Sequence, residues 1–204
     1  MASSPRERAL KRAKLMKRLV EQLDAVRALK LFNTADALRA MSELSLSGDP
    51  WSELRSVLTE IAKIPQREPF FAKIRRFDKV SNTLLWTSLA FSISSLLMLS
   101  ILHLEGSLAV LLMIAALVLL NIAYMLKLYV LTKLRWIYAS RSSEIRGKDD
   151  LFRRSADQLL ARMRGELRKA GVDPSTVTFK LYFDDYSQLR VVGKGRGFYR
   201  LTFR

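Results

Sequence analysis

The sequence predicts a membrane α-helical hairpin of two transmembrane helices. An N-terminal cytoplasmic helical region precedes it. A small C-terminal α+β domain follows, one helix plus a three-stranded antiparallel meander. Three observations predict this class. Two long apolar runs, Val80–Leu104 and Leu108–Leu126, stand almost side by side in mid-chain. Lysine and arginine are absent from residues 80–126 and abundant on both flanks. Beyond Pro174 the apolar residues change from helical spacing to strict alternation.

The hairpin follows from length. A bilayer core takes about 20 apolar residues of helix, and only helices or closed barrels satisfy backbone hydrogen bonds in lipid. The first run carries no formal charge and has His103 near its far end; the most polar residue of the second is Asn121. Only Glu105-Gly106-Ser107 separates them, so the helices are expected to be antiparallel neighbours, with Gly106 in the turn. Lys73, Arg75, Arg76 and Lys79 come before the hairpin, and Lys127, Lys133, Arg135 and Arg141 after it. The positive-inside rule then puts both termini in the cytoplasm. Trp86, Tyr124, Tyr129 and Trp136 fit an aromatic belt at that interface.

A packing stripe is also readable. Ser81, Ser88 and Ser95 recur every seven residues with Ser92 on a neighbouring line, and Ala109, Ala116 and Ala123 recur likewise. Such a repeat keeps one face toward a partner helix, and small side chains allow close approach. An apex between Glu105 and Gly106 pairs Ser95 with Ala116 and Ser88 with Ala123. The serine hydroxyls are expected to bond their own helix backbone. No Asp, Glu, Lys or Arg lies inside either run, which disfavours a two-helix pump or transporter.

Residues 1–68 read as a thin helical bundle. Ser4-Pro5-Arg6-Glu7 is a capping box, and Met16, Leu19, Val20, Leu23 and Val26 form an apolar stripe on a helix reaching about Leu31. Asn33 or Thr34 opens a second helix to about Leu46, and Asp49-Pro50 a third carrying Trp51, Leu54, Val57, Leu58 and Ile61. Residues 1–30 are basic and amphipathic and lack the apolar core of a signal peptide. Residues 69–79 read as a juxtamembrane helix whose aromatics meet headgroups while its cations meet anionic lipid.

The C-terminal arm begins with a basic stalk, residues 127–147. Asp149 or Asp150 caps a helix from about Leu151 to Ala170, stopped by Gly171. Val177–Phe183, Leu189–Val192 and Phe198–Arg204 read as strands. Asp184–Ser187 makes one turn and Gly193–Gly197 the other. The glycines and Lys194 and Arg196 of the second turn raise a phosphate-binding reading, but no nucleotide-loop pattern accompanies them.

Charge carries the functional expectation. The net charge is +16, with 17 basic against 10 acidic residues in 1–79 and 18 against 8 in 127–204. This surplus is more than topology requires, and it points to an acidic partner: anionic lipid headgroups, ribosome or other nucleic acid, or an acidic protein. The residues expected to make the contact are Lys11, Lys14, Lys17, Arg18, Lys73, Arg75, Arg76, Lys79, Lys133, Arg135, Arg190, Lys194, Arg196 and Arg200. No cysteine and a single histidine leave no thiolate or imidazole metal site and no cysteine nucleophile. No catalytic constellation, metal site or cofactor is expected. The composition suggests a prokaryotic, non-enzymatic membrane anchor or scaffold. The alternatives are a subunit of a larger secretion, insertion or transport complex built with other membrane chains, and an enzyme at the cytoplasmic face.

Overall fold

A computed structural model of the chain describes residues 4–30, 32–100 and 106–204, which form two compact units. One joins the residues up to Ile64 with Tyr138–Arg204, and the other is Pro65–Ile137. The two arms, remote in sequence, therefore share one unit.

In the shared unit, α1 (Pro5–Arg27) begins with the expected reciprocal cap: Ser4 Oγ accepts from the Glu7 N–H, and the Glu7 carboxylate accepts from the Ser4 N–H. It ends earlier than its apolar pattern suggests. Leu29 takes a left-handed conformation (φ 53°), and the Lys30 N–H closes the helix on the Ala25 carbonyl at 2.9 Å. α2 (Thr34–Glu43), capped by Asn33, ends the same way, with Ser45 at φ 53° and Leu46 bonding Met41. Neither closure uses a glycine, so neither was visible in the sequence. α3 (Trp51–Lys63) buries Trp51, Leu54, Val57, Leu58 and Ile61. After α6 (Ser142–Arg146), α7 (Asp149–Lys169) lies against α1 and buries Leu151, Phe152, Leu159, Leu160, Met163 and Leu167. Here the expected glycine stop holds, with Gly171 at φ 69°.

Three strands complete the unit: β1 (Thr178–Leu181), β2 (Leu189–Gly195) and β3 (Phe198–Phe203). The sheet is antiparallel, but its order is β1-β3-β2, not the meander the sequence predicted. Pairing Phe179 with Leu201 puts β3 in the centre, flanked by both edges. The physical reason lies in the connections. β2 and β3 are joined by a tight turn, whereas residues 182–188 between β1 and β2 are bonded to helices. Tyr182 N–H and Tyr186 O–H donate to Asp24, and Ser187 donates to Asp157. That anchoring carries the chain across the sheet to its other edge. Phe179, Leu181, Leu189, Leu201 and Phe203 form the buried sheet face.

The second unit contains α4 (Phe71–Ser100) and α5 (Gly106–Ser140), both long and apolar enough to cross a membrane. Gly106 and Ser107 lie in the first turn of α5 rather than in a loop, while His103 and Glu105 fall outside the described residues. The expected stripes do meet. Ile74, Ser81, Ser88 and Ser95 on α4 are buried, as are Ala109, Ala116, Ala123, Val130 and Ile137 on α5. The partners differ from expectation by one heptad. Ser81 donates to the Ala123 carbonyl at 2.8 Å, Ser88 to Ala116 at 2.8 Å and Ser95 to Ala109 at 2.7 Å. A repeat of seven fixes which face meets the partner but is unchanged by a slip of seven. These hydroxyls also cross to the other helix, where each carbonyl has a second lone pair to offer. Ser92 alone of the predicted seam serines bonds its own helix, at the Ser88 carbonyl.

Candidate polyanion-binding surface

The outward face of the sheet gathers Lys180, Arg190 and Arg200. Strand alternation aligns Phe198 and Arg200 on one side of β3, with Lys180 paired to Arg200 across from β1. On β2, Gly195 and Gly193 lie opposite Phe198 and Arg200, past a bulge at Val191–Gly193. A Cβ at Gly195 would sit 2.4 Å from the Phe198 ring, and one at Gly193 would lie 3.9 Å from the Arg200 stem. The glycines are therefore a floor on which β3 side chains lie flat. The expected Gly193–Gly197 loop is shorter, because β2 runs to Gly195. Arg196-Gly197 alone makes the turn, with Gly197 at φ 77°.

Arg190, Lys194, Arg196 and Arg200 are all exposed, and among the described residues none forms an ion pair. Residues 189–204 contain no acid at all. Lys180 lies over the Phe198 ring on this face, at 5.8 Å, whereas Lys194, paired with Tyr199, emerges on the opposite side of the sheet, over the Tyr199 ring at 5.4 Å. Lys180 was absent from the sequence-based set; its alternation with buried Phe179 and Leu181 was the available signal. Guanidinium groups fork onto phosphate or carboxylate oxygens, so this face can hold a polyanion through several salt-sensitive contacts.

The other predicted cations are less uniform. On α1, Lys11 and Lys14 are exposed, but Lys17 lies 3.9 Å from Glu21 and Arg18 bonds Asp36 at 2.8 Å. Burial pushes the Glu21 carboxyl above its ordinary value, and Lys17 and then Lys180 pull it back. In the second unit, Lys73 covers the Phe77 ring at 5.7 Å and Lys133 the Tyr129 ring at 5.8 Å. Arg75, Arg76, Lys79 and Arg135 are exposed. Lys127, expected only as a topology signal, is bound to Asp78 at 2.6 Å and Asn82 at 2.9 Å.

A buried polar centre was missed by sequence reasoning. The side chain of Arg27 is 2% exposed. It meets Asp149 through Nε at 2.8 Å and Nη2 at 3.0 Å. It meets Asp185 through Nη1 at 3.0 Å and Nη2 at 2.7 Å, and Tyr186 Oη through Nη1 at 3.0 Å. Phe183 lies 4.4 Å from the guanidinium carbon. The Tyr186 hydroxyl in turn donates to buried Asp24 at 2.8 Å. Burial raises the Asp24 carboxyl to about 6, against the lowering pull of the Tyr182 N–H, Tyr186 O–H and Arg27. The Arg27 guanidinium beside Asp185 holds that carboxyl below the ordinary range. The sequence reads Asp149 as a helix cap and Asp185 as a turn residue. Arg27 at the end of an apolar stripe was the one available sign that acids must converge there, since a buried charge needs partners.

No protein-family model, curated protein or solved structure matches the chain.

Proposed function

We propose that the chain is a non-enzymatic membrane scaffold: the α4–α5 hairpin spans the bilayer, both arms face the cytoplasm, and their shared unit presents a basic sheet face to an acidic partner. One observation carries the membrane half of this reading. Only 11% and 17% of the apolar windows of α4 and α5 are buried, whereas the core helix of a soluble protein is mostly covered. Leu96, Val110, Leu111, Leu117, Val118 and Met125 are among the large apolar side chains left open, and contiguous apolar surface of this kind seeks lipid. The cations beyond both helix ends support the orientation. Arg190, Lys194, Arg196 and Arg200, which have no carboxylate partner among the described residues, support recruitment of a polyanion.

The test uses the full chain. It should remain with membranes through an alkaline wash, and release into the soluble fraction would refute the hairpin's role. Reconstituted in nanodiscs of zwitterionic lipid, it should bind fluorescent single-stranded RNA or heparin at low salt. R190Q/K194Q/R196Q/R200Q should weaken that binding and lower the salt slope by about 3. Indifference of the intact chain to RNA, heparin and anionic vesicles alike would end the recruitment reading.

A further inference from the structure

The second unit holds a basic concavity separate from the sheet face. A 3₁₀ turn (Ile64–Arg67) and Pro69 lead into α4, and the opening of about 620 Å³ beside its first two turns is lined by Gln66, Arg75, Arg76 and Lys79. Helical spacing explains the convergence. Ala72, Arg75, Arg76 and Lys79 follow the i, i+3, i+4, i+7 pattern and form one face. Ile74 begins the stripe that meets α5, and by helical geometry the arginine face lies on the opposite side of α4. Its cations thus point away from the seam, toward whatever surrounds the hairpin.

The local charges stay in favour of an anion. Glu68 is the single acid lining the concavity. Asp78, the nearest acid on α4, is held by Lys127. Arg75, Arg76 and Lys79 form no ion pair among the described residues. Two adjacent guanidinium groups suit the tetrahedral oxygens of a phosphate, which each can grip by two N–H groups. The first turns of α4 also carry paired aromatics: Phe77 lies 5.5 Å from Tyr129, and Phe70 6.1 Å from Trp136. Aromatic rings at the foot of a hairpin mark the level where headgroups meet water.

We infer that this concavity binds the phosphate headgroup of an anionic lipid, with Arg75 and Arg76 on the phosphate oxygens, Lys79 adding charge and Gln66 available to a headgroup hydroxyl. The inference rests on the membrane reading and deepens it, since it names a ligand class for the anchor itself. It separates two roles for the basic surplus: lipid selection at the hairpin foot and polyanion capture on the sheet.

Native mass spectrometry of the full chain, released from micelles doped with equal phosphatidylglycerol and phosphatidylcholine, tests it. The intact chain should retain the anionic lipid by about tenfold or more. R75Q/R76Q/K79Q should lose the preference while still requiring detergent, whereas R190Q/K194Q/R200Q should keep it. Equal retention of both lipids, or a preference untouched by R75Q/R76Q/K79Q, overturns the headgroup site alone. A chain soluble without detergent overturns the membrane reading and the site with it. Inorganic phosphate in millimolar excess should not displace the lipid; full displacement would make this a site for free phosphate instead.

Discussion

Arg27 has five N–H groups, and each meets an acceptor on Asp149, Asp185 or Tyr186. Lysine has three donors and cannot fork onto two carboxylates at once, so Arg27→Lys is not conservative. Arg27→Ala leaves two part-exposed carboxylates without their cation and the buried Tyr186 hydroxyl without its donor, which costs about 1–3 kcal/mol. Urea titration of the detergent-solubilised chain, followed by far-UV circular dichroism, should show Arg27→Lys intermediate between wild type and Arg27→Ala. Equal stability of all three would show the clamp to be idle. Asp24 makes a second prediction. Its folded value near 6 lies above the ordinary carboxylate value, so the folded state holds this proton more tightly. The associated stability is complete below about pH 4 and is lost as pH rises through about 6. The loss amounts to about 3 kcal/mol. Asp185 acts oppositely: its lowered value supplies stability that disappears as pH falls through it. Unfolding of wild type should therefore become easier between pH 4 and 7, and Asp24→Asn should flatten that fall. An unchanged slope in the variant would rule out Asp24 as its source.

At the scale of elements, the hairpin seam is the sharpest claim. The chain has no cysteine, so paired cysteines can be introduced on a clean background. S88C/A116C should crosslink under mild oxidation, and S88C/A123C should not, because one heptad along a helix is about 10 Å. The reverse result would restore the register read from the sequence. Each lost hydroxyl contact is worth about 0.6 kcal/mol, so Ser88→Ala should be mild; Ser88→Leu forces the helices apart and should abolish crosslinking at a neighbouring S81C/A123C pair. The seam also shows how far sequence reaches. Small residues every seventh position announced the faces that meet, and Val130 and Ile137 continue the same line into α5 beyond its predicted span. Register stayed hidden because a seven-residue repeat is blind to a seven-residue shift. Helix starts were legible through Ser4 and Asn33, whose side chains accept from the first turn. Helix ends at Leu29 and Ser45 were not, since left-handed closure by a non-glycine residue has no compositional mark. The strands were legible from alternation, but their order depends on where Asp24 and Asp157 tether the residues between β1 and β2.

For the molecule as a whole, the joining of the two arms is what no local pattern announced. The face of α1 that buries Met16, Leu19, Val20 and Leu23 packs with α7, which begins more than a hundred residues later. A chain lacking residues 1–30 should therefore lose more than a helix. It should expose the α7 surface and the sheet core, bind a hydrophobic dye, and yield to limited proteolysis between Asp149 and Arg204. Resistance equal to that of the full chain would mean that the C-terminal arm folds without α1. Of the basic surface, strand alternation made Arg190 and Arg200 readable as one face. Glu21, the partner of Lys17, stands at i+4 on the same helix and was readable, whereas the partner of Arg18 was not, because Asp36 comes from another helix.

This arrangement imposes an order of events during synthesis. α1 leaves the ribosome before α7 and the strands that pack with it. At about 5–20 residues per second, the gap from Arg27 to Asp149 lasts roughly ten seconds. Throughout that interval α1 has α2 beside it but not α7, and Arg27 waits for both of its carboxylates. A chain stopped before Asp149 therefore leaves α1 without its α7 and sheet contacts.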